Sequence, residues 1–478
     1  LRELNKDVCM TEGPLFGRLW IYVIPIMLSG ILQLLYNAAD VAVVGNYAAD
    51  KKLALAAVGS TGALTNLVIC LFVGLSVGTN VVVSRYIGKK EYRNVSGSVH
   101  TSMLASIIFG AFLTVVGIVF AEPLLKLMDT PEDVLPLSAT YMRIYFTGMT
   151  ASMAYNFGSA ILRSKGDTRF PFIVLVISGA VNVVLNLITV IVFHLDVAGV
   201  ALATMSSQVV SAIMVIFRLC TVKDCCRLEF KKLKIHHDKL IKIAKVGIPA
   251  GFQSLMYCLS NVFLQSAVNS LGPIGMAGNT AASNVDGFIY IACNAPYHAA
   301  VAFTGQNYGA KKFARIRTVC FDCCIIVLIV GLLLGAICFV FQDPLLRLYA
   351  PDTETESLAE ARAAGSLRIA VTAWTYFICG LMDVATGMCR GLGSSFIPMV
   401  ITTFGSCGLR IAWIKLIFER FEFFHNLGWL FLTYPISWIV TGAAEFIAFW
   451  FIFSKICKGK GIDPRHPIDL DVKKEIIY

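Results

Sequence analysis

Twelve stretches of predominantly apolar residues follow one another along the chain, separated by short polar breaks. They occupy 18–44, 58–84, 95–120, 138–161, 170–193, 197–220, 241–269, 278–303, 316–341, 361–389, 396–419 and 426–457. A helix needs about 20 such residues to cross the hydrocarbon core of a bilayer. The pattern therefore predicts an all-α integral membrane protein with twelve transmembrane helices. Spans 5 and 6 meet at the polar break His194-Leu195-Asp196. Pro and Gly occur inside several spans, where membrane helices tolerate them better than soluble ones.

Loop charge sets the orientation. With both termini on one side, that side holds 30 of the 40 Lys and Arg: Arg2, Lys6 and Arg18, then those in 85–94, 163–169, 218–245 and 311–317, Arg390, and the tail. The other side holds eight, and Arg410 and Lys415 fall within span 11. The richer side is read as cytoplasmic. Composition agrees. Of 478 residues, 57% are apolar and only 15% charged, against about 25% charged in soluble domains, and mean hydropathy is +0.73. That excludes a disordered chain and a water-soluble enzyme. The net charge of +10 lies in short loops as a topology signal, so nucleic acid is not an expected partner. With Leu1 at its start, the chain is expected to lack its native beginning.

Most of the 15 cysteines lie inside apolar spans. Cys225-Cys226 sits in a basic loop, and Cys320, Cys323 and Cys324 have no second pair or nearby His. They read as reduced thiols packing as small apolar groups rather than as metal ligands.

The two halves match each other. EPLLKLM (122–128) answers DPLLRLY (343–349), and RYIGKKEYRNV (85–95) answers NYGAKKFARI (307–316), both at an offset of 221. Pro25 answers Pro249 at 224, and RSKGDTRFP (163–171) answers RGLGSSFIP (390–398) at 227. Six spans per repeat is an even number, so both halves enter the bilayer in the same direction, as in parallel-repeat transporters with the substrate held between two lobes. The lobes are expected at 1–230 and 231–478, the second opening on the basic segment Lys231–Lys245, read as a linker facing lipid headgroups. No GxxxxGK[ST] is present, so transport must draw on a gradient.

Acidic residues inside a membrane are functional candidates by default. Gln33, Tyr36, Asn37 and Asp40 share one face of span 1; Asn182 and Asn186 share one face of span 5; span 6 carries Thr204. Counted from the outer ends of their spans at 1.5 Å per residue, Asp40 and Asn186 lie at roughly 15 Å, Thr204 at roughly 12 Å and Asn182 at roughly 20 Å. The four are expected to meet in the outer half of the first lobe, where one carboxylate with amide and hydroxyl oxygens suits H⁺ or Na⁺; helix-to-helix hydrogen bonding is the alternative for the three neutral groups. The repeat breaks here, since Asp40, Asn182 and Asn186 map onto Leu264, Leu409 and Trp413. Asn284, Asp286, Gln253 and Tyr257 could line the second lobe, and Met153 together with Tyr36 suits a cavity for flat cations. Asp383 and Arg410 are expected to pair, and Glu445 is a further intramembrane acid.

The segments MTEGPLFGRLWIYVIPIMLSGILQLLYNAADVAVVG (10–45), LAAVG (55–59), VGLSVGTNVVVSRYIGKKE (73–91), RSKGDTRFP (163–171), VAGVALAT (197–204) and TGQNYGAKK (304–312) resemble the multidrug and toxic compound extrusion (MATE) transporters, closest to the bacterial branch with DinF-like and MepA-like members. The resemblance runs over nearly the whole chain. It implies a V-shaped pair of six-helix bundles and efflux of organic, often cationic, compounds in exchange for H⁺ or Na⁺. It implies a cation site on Asp40, Asn182, Asn186 and Thr204, with Asn186 standing where many relatives have Asp. It places a further contact near Asn156, and Tyr257 where the NorM-like branch has a glutamate. The expected protein is a monomeric, multi-pass, secondary active transporter of the inner (plasma) membrane. It is not an enzyme and has no cofactor beyond its coupling ion. Protonation of Asp40 would let span 1 bend at Pro25, whose missing N–H loosens the helical ladder. The alternative is a flippase for a lipid-linked precursor, which calls for a cavity lined with basic residues.

The orientation is testable in a cysteine-free background. A membrane-impermeant thiol reagent should label Asp133→Cys in intact cells and Glu91→Cys only after permeabilisation; the opposite pattern would reverse the topology.

Overall fold

A computed structural model describes residues 7–47, 51–128, 130–349 and 356–470. The described chain is almost wholly helical. Its elements are α1 (Leu15–Tyr47), α2 (Lys51–Gly88), α3 (Tyr92–Leu127), α4 (Leu135–Thr147), α5 (Met149–Lys165), α6 (Arg169–Leu187), α7 (Asp196–Thr221), α8 (His237–Asn269), α9 (Pro273–Gly309), α10 (Phe313–Val340), α11 (Gln342–Tyr349), α12 (Glu356–Thr372), α13 (Tyr376–Gly391), α14 (Phe396–Thr402), α15 (Leu409–Trp413), α16 (Leu427–Phe431) and α17 (Thr433–Lys458). Each expected span coincides with a helix or a broken helix. Seven helices among the described residues are long and apolar enough to cross a membrane by themselves, and an eighth counts if the bent pair α12–α13, angled at 48°, is one span. Helices α8 and α9 are as long but diluted by polar residues, which are used inside the bundles.

Small residues, polar ones included, are prominent on the inward face of a helix. On α3 the buried positions include Ser98, Thr101, Ser102, Ser106, Gly110 and Gly117, while Phe112, Val115 and Val119 are exposed. Lipid tails are as apolar as these side chains, so helices associate through small residues that bring backbones close. A Cβ on Gly74 would fall 2.2 Å from the backbone N of Gly251 and 2.9 Å from the carbonyl oxygen of Gly247. Contact of α2 with α8 at this level therefore requires glycine.

The internal repeat is written in the backbone. Lys90 and Lys311, 221 apart, both take positive φ (59° and 57°). Each is followed by the same closing bond, Glu91 N–H to Tyr86 C=O and Lys312 N–H to Asn307 C=O. Gly166 (φ 106°) and Gly393 (φ 83°) are 227 apart. A π-helical turn at Ile188–Val192 recurs at Ile414–Phe418. The break at Gly148 in the α4–α5 rod recurs after Thr372, ahead of α13.

The chain divides into two compact units. One holds Leu28–Gly251 with the start of the chain up to Cys9; the other holds Met10–Met27 and Phe252–Tyr478. These bounds differ from the expected division at 230/231. The segment Lys231–Lys245, read as a linker, falls in the first unit: Lys239 donates to Tyr86 Oη (3.1 Å) and Asn94 Oδ1 (2.8 Å). Helix α1 changes unit after Met27 and α8 after Gly251, each two residues beyond its proline, Pro25 and Pro249. In the first unit α5 packs on α2, α3 and α7; in the second α9 packs on α10, α12 and α13, and α13 on α17.

Gly74→Leu is expected to cost about 1–3 kcal/mol through overpacking and to lower the thermal unfolding midpoint of the purified protein. Gly17→Ala, where the added Cβ meets nothing within 4 Å, should leave that midpoint unchanged.

Candidate functional site

Helices α1, α6 and α7 bring four side chains of the first unit together. The Asn186 amide donates to Asp40 Oδ1, and Thr204 Oγ1 lies 3.5 Å from Asp40 Oδ2. Asn182 donates to Thr204 Oγ1 at 3.4 Å, and Asn186 donates to Asn182 Oδ1 at 3.3 Å. The spacings explain the meeting: Asn182 and Asn186 are one helical turn apart and both buried, at 5% and 0% exposure, on the face of α6 turned toward α7. Tyr36, one turn before Asp40, lays its ring over Gly179, where a Cβ would stand 1.8 Å from the ring. Its hydroxyl reaches the Val176 carbonyl (3.3 Å), so Gly179 helps to set the register of α1 on α6.

Two features fit this cluster for a small cation or a proton. Among the described residues the hydrogen-bond donors to Asp40 are neutral, so the carboxylate keeps its charge available. Asn186 Oδ1 is buried with no hydrogen-bond partner among the described residues. A buried acceptor without a donor is costly, and a cation or an added proton among these oxygens would satisfy it. Thr204 can also donate to the Val200 carbonyl (3.0 Å), so its single hydroxyl hydrogen is free to choose either acceptor.

Sequence reasoning missed Tyr141 and Tyr145 of α4, which stack at 6.0 Å and lie close enough to Asp40 to feel its charge. Their spacing of four residues on one helix face was the available signal.

The other candidates have varied surroundings. Gln33 and Asn37 are exposed on α1. Met153 is fully buried in the core of the first unit. Asn156 is occupied by the Ser152 carbonyl of its own helix (2.9 Å). In the second unit Tyr257 Oη approaches Met382 Sδ (3.5 Å), and Asn284 is exposed and bonded to the Thr280 carbonyl. Asp286 is 1% exposed and held by Arg368 (2.8 Å) and Thr372 (3.0 Å). Gln253 joins Thr402 and Arg390. Asp383 accepts from Asn294 (2.7 Å), while Arg410 donates to Ser437 (3.0 Å) and covers the Tyr434 ring; the expected Asp383–Arg410 pair is replaced by these partners. Arg368 and Arg390, counted with the loops above, are each 6% exposed, because Asp286 serves the one and Tyr297 with Gln253 the other. Asp224, Cys225 and Cys226 place their ligand atoms within 4.8 Å of one another, but the Asp224 carboxylate is engaged by Lys165 (2.9 Å) and the Cys226 N–H (2.8 Å).

Residues 25–188 and 249–414 match the MatE family model, one stretch in each repeat. The chain belongs to this family and is a transporter of the MATE multidrug-efflux class. A probable multidrug resistance protein of Bacillus subtilis, YoeA, is 25% identical over 466 residues, covering 95% of this chain and 98% of its own. An FAD transporter of Shewanella oneidensis is 23% identical, covering 90% of this chain and 93% of its own. A solved structure described as the outward-facing conformation of a multidrug resistance MATE family transporter of the MOP superfamily superposes with a TM-score of 0.87 at 21% identity, covering 95% of this chain and 99% of the other.

Asn186→Asp would set a second carboxylate beside Asp40. Na⁺ should then protect the variant against thermal unfolding at concentrations at least about tenfold lower than the wild type needs, a difference of about 1.4 kcal/mol. Equal Na⁺ dependence would place Na⁺ binding elsewhere.

Proposed function

We propose that this protein is an H⁺- or Na⁺-coupled antiporter that exports small organic molecules, cations among them, by alternating access. The observation that carries this reading is Asp40, an intramembrane carboxylate held by neutral donors next to Asn186 Oδ1, which has no partner among the described residues. Binding of H⁺ or Na⁺ there neutralises the charge of α1. Pro25 removes one N–H from the ladder of the same helix, fifteen residues earlier, at the point where α1 changes from one unit to the other. A helix that can bend there lets the charge state of Asp40 select its shape, and with it the affinity for an organic cation that had relied on the carboxylate. Deprotonation or ion release toward the cytoplasm resets the cycle. The reading includes a monomer in the inner membrane with both termini cytoplasmic.

The flippase alternative is disfavoured by the use of the buried arginines. Arg368, Arg390 and Arg410 all sit in the second unit and are engaged by Asp286, by Tyr297 and Gln253, and by Ser437 with Tyr434. All three are buried, at 6% exposure or less, so none presents its charge to an open cavity. The FAD-transporting relative makes an anionic dinucleotide a useful second probe.

The test uses inside-out vesicles, a fluorescent organic cation or FAD as cargo, and separate collapse of the H⁺ and Na⁺ gradients. Gradient-driven uptake of the cation should stop when the coupling gradient is removed, and should fall to background in Asp40→Asn. Full activity in that variant would overturn the reading, and uptake of FAD alone would replace the substrate class.

A further inference from the structure

The second unit contains a buried acid that the coupling reading does not use. Glu445 on α17 is 0% exposed. Its Oε1 accepts the hydroxyl of Thr402 (2.7 Å) and its Oε2 the hydroxyl of Thr386. The other buried acid of this unit differs in kind. Asp286 is bonded directly to the Arg368 guanidinium at 2.8 Å, and an acid paired in this way is a fixed structural charge. Glu445 has no cation within bonding distance among the described residues. The Arg390 guanidinium is joined to it by a chain of hydrogen bonds: Arg390 Nη2 donates to Gln253 Oε1 (2.7 Å), Gln253 Nε2 donates to Thr402 Oγ1 (2.8 Å), and Thr402 donates to Glu445. Arg390 Nε is buried with no hydrogen-bond partner, so this polar cluster is incompletely satisfied.

We propose that Glu445 is a proton-binding site of the second unit, read out through Thr402 and Gln253 onto helix α8. The hydroxyl geometry allows both charge states without moving heavy atoms. Thr402 already accepts from Gln253, so its one hydrogen points at the carboxylate. Thr386 is not constrained in this way: it donates to the charged form, and by turning its hydroxyl it accepts the O–H of the neutral acid. A proton therefore enters on Oε2 and leaves from it, with Thr386 as the switching partner. A metal ion fits less well, because the remaining oxygen ligand, Gln253 Oε1, is taken by a guanidinium. The charged groups that act on Glu445 are Asp383 and Arg390 on α13, and the Glu445 charge is felt by the neutral Cys379 and Cys389 on α13, Tyr257 on α8 and Tyr297 on α9. Loss of the charge weakens the pull on Thr402 and so on Gln253, which lies one turn beyond Pro249, the residue that interrupts the ladder of α8. This last link rests on the transporter reading; proton binding itself does not.

The test is an infrared pH titration of purified protein reconstituted in lipid. The carbonyl stretch of a protonated carboxylic acid should appear on acidification in Asp40→Asn and be missing from Asp40→Asn combined with Glu445→Gln. Identical spectra of the two would overturn the proposal. Thr386→Val, which removes a donor to the charged form, should move the midpoint of this band to higher pH by several tenths of a unit or more, and Thr386→Ser should restore it. If Glu445→Gln does not fold, the Thr386 pair carries the test, and an unchanged midpoint in Thr386→Val is the adverse result. Because the readout is equilibrium protonation, retained efflux by Asp40→Asn would end the coupling reading and leave this one standing.

Discussion

A polar group inside a bilayer has no water to turn to and must find its partner within its own helical bundle. That constraint organises both units. It explains why serine, threonine and glycine side chains are buried along α3 beside apolar ones such as Met103 and Leu113, while Phe112, Val115 and Val119 of the same helix face outward. It also sorts the buried charges. Asp286 and Arg368 neutralise each other and are sealed in the core. Asp40 is met, among the described residues, by an amide and a hydroxyl. The first arrangement is static, because breaking it would strand two charges. The second leaves a charge without an opposite charge bonded to it, which is the arrangement the proposed coupling reading uses.

The repeat shows how one backbone plan carries two kinds of chemistry. Left-handed turns at Lys90 and Lys311, positive-φ glycines at 166 and 393, and π-helical turns at 188–192 and 414–418 occur in both units. The side chains between them have diverged. Where the first unit has Asp40, the second has Leu264, which is 2% exposed in an apolar cluster. The polar groups of the second unit have moved to α8, α13, α14 and α17 instead, around Glu445 and Arg390. Backbone turns are set by local chemistry and persist, whereas a buried polar cluster can be rebuilt wherever facing helices supply complementary groups.

In the proposed mechanism the two proline helices connect this chemistry to motion. In α1 the proline and the acid are on one helix, so charge and shape are linked directly. In α8 the link is indirect and passes through Gln253. Both helices change unit within two residues of the proline, so a bend there acts where the chain passes from one compact unit to the next.

The sequence alone determined the helical class, the repeat, the loop-charge asymmetry and the first-unit cluster. These rest on properties that run along the chain: the length of apolar stretches, the recurrence of turn residues, and the fixed rise of a helix that turns sequence distance into depth. Asp40, Asn186 and Thr204 were legible because each lies at a countable distance from a polar break. Tertiary structure decided what depends on which face of one helix meets which face of another. Arg368 and Arg390 read as loop charges until Asp286 and Tyr297 were seen to draw them inward. Asp383 and Arg410, plausible partners by charge, turned to Asn294 and Ser437, and the tyrosines of α4 came to rest beside Asp40. Helical periodicity ranks the residues of one face but does not say which neighbour that face will find, and for a buried polar group the neighbour determines whether it is structural or able to bind.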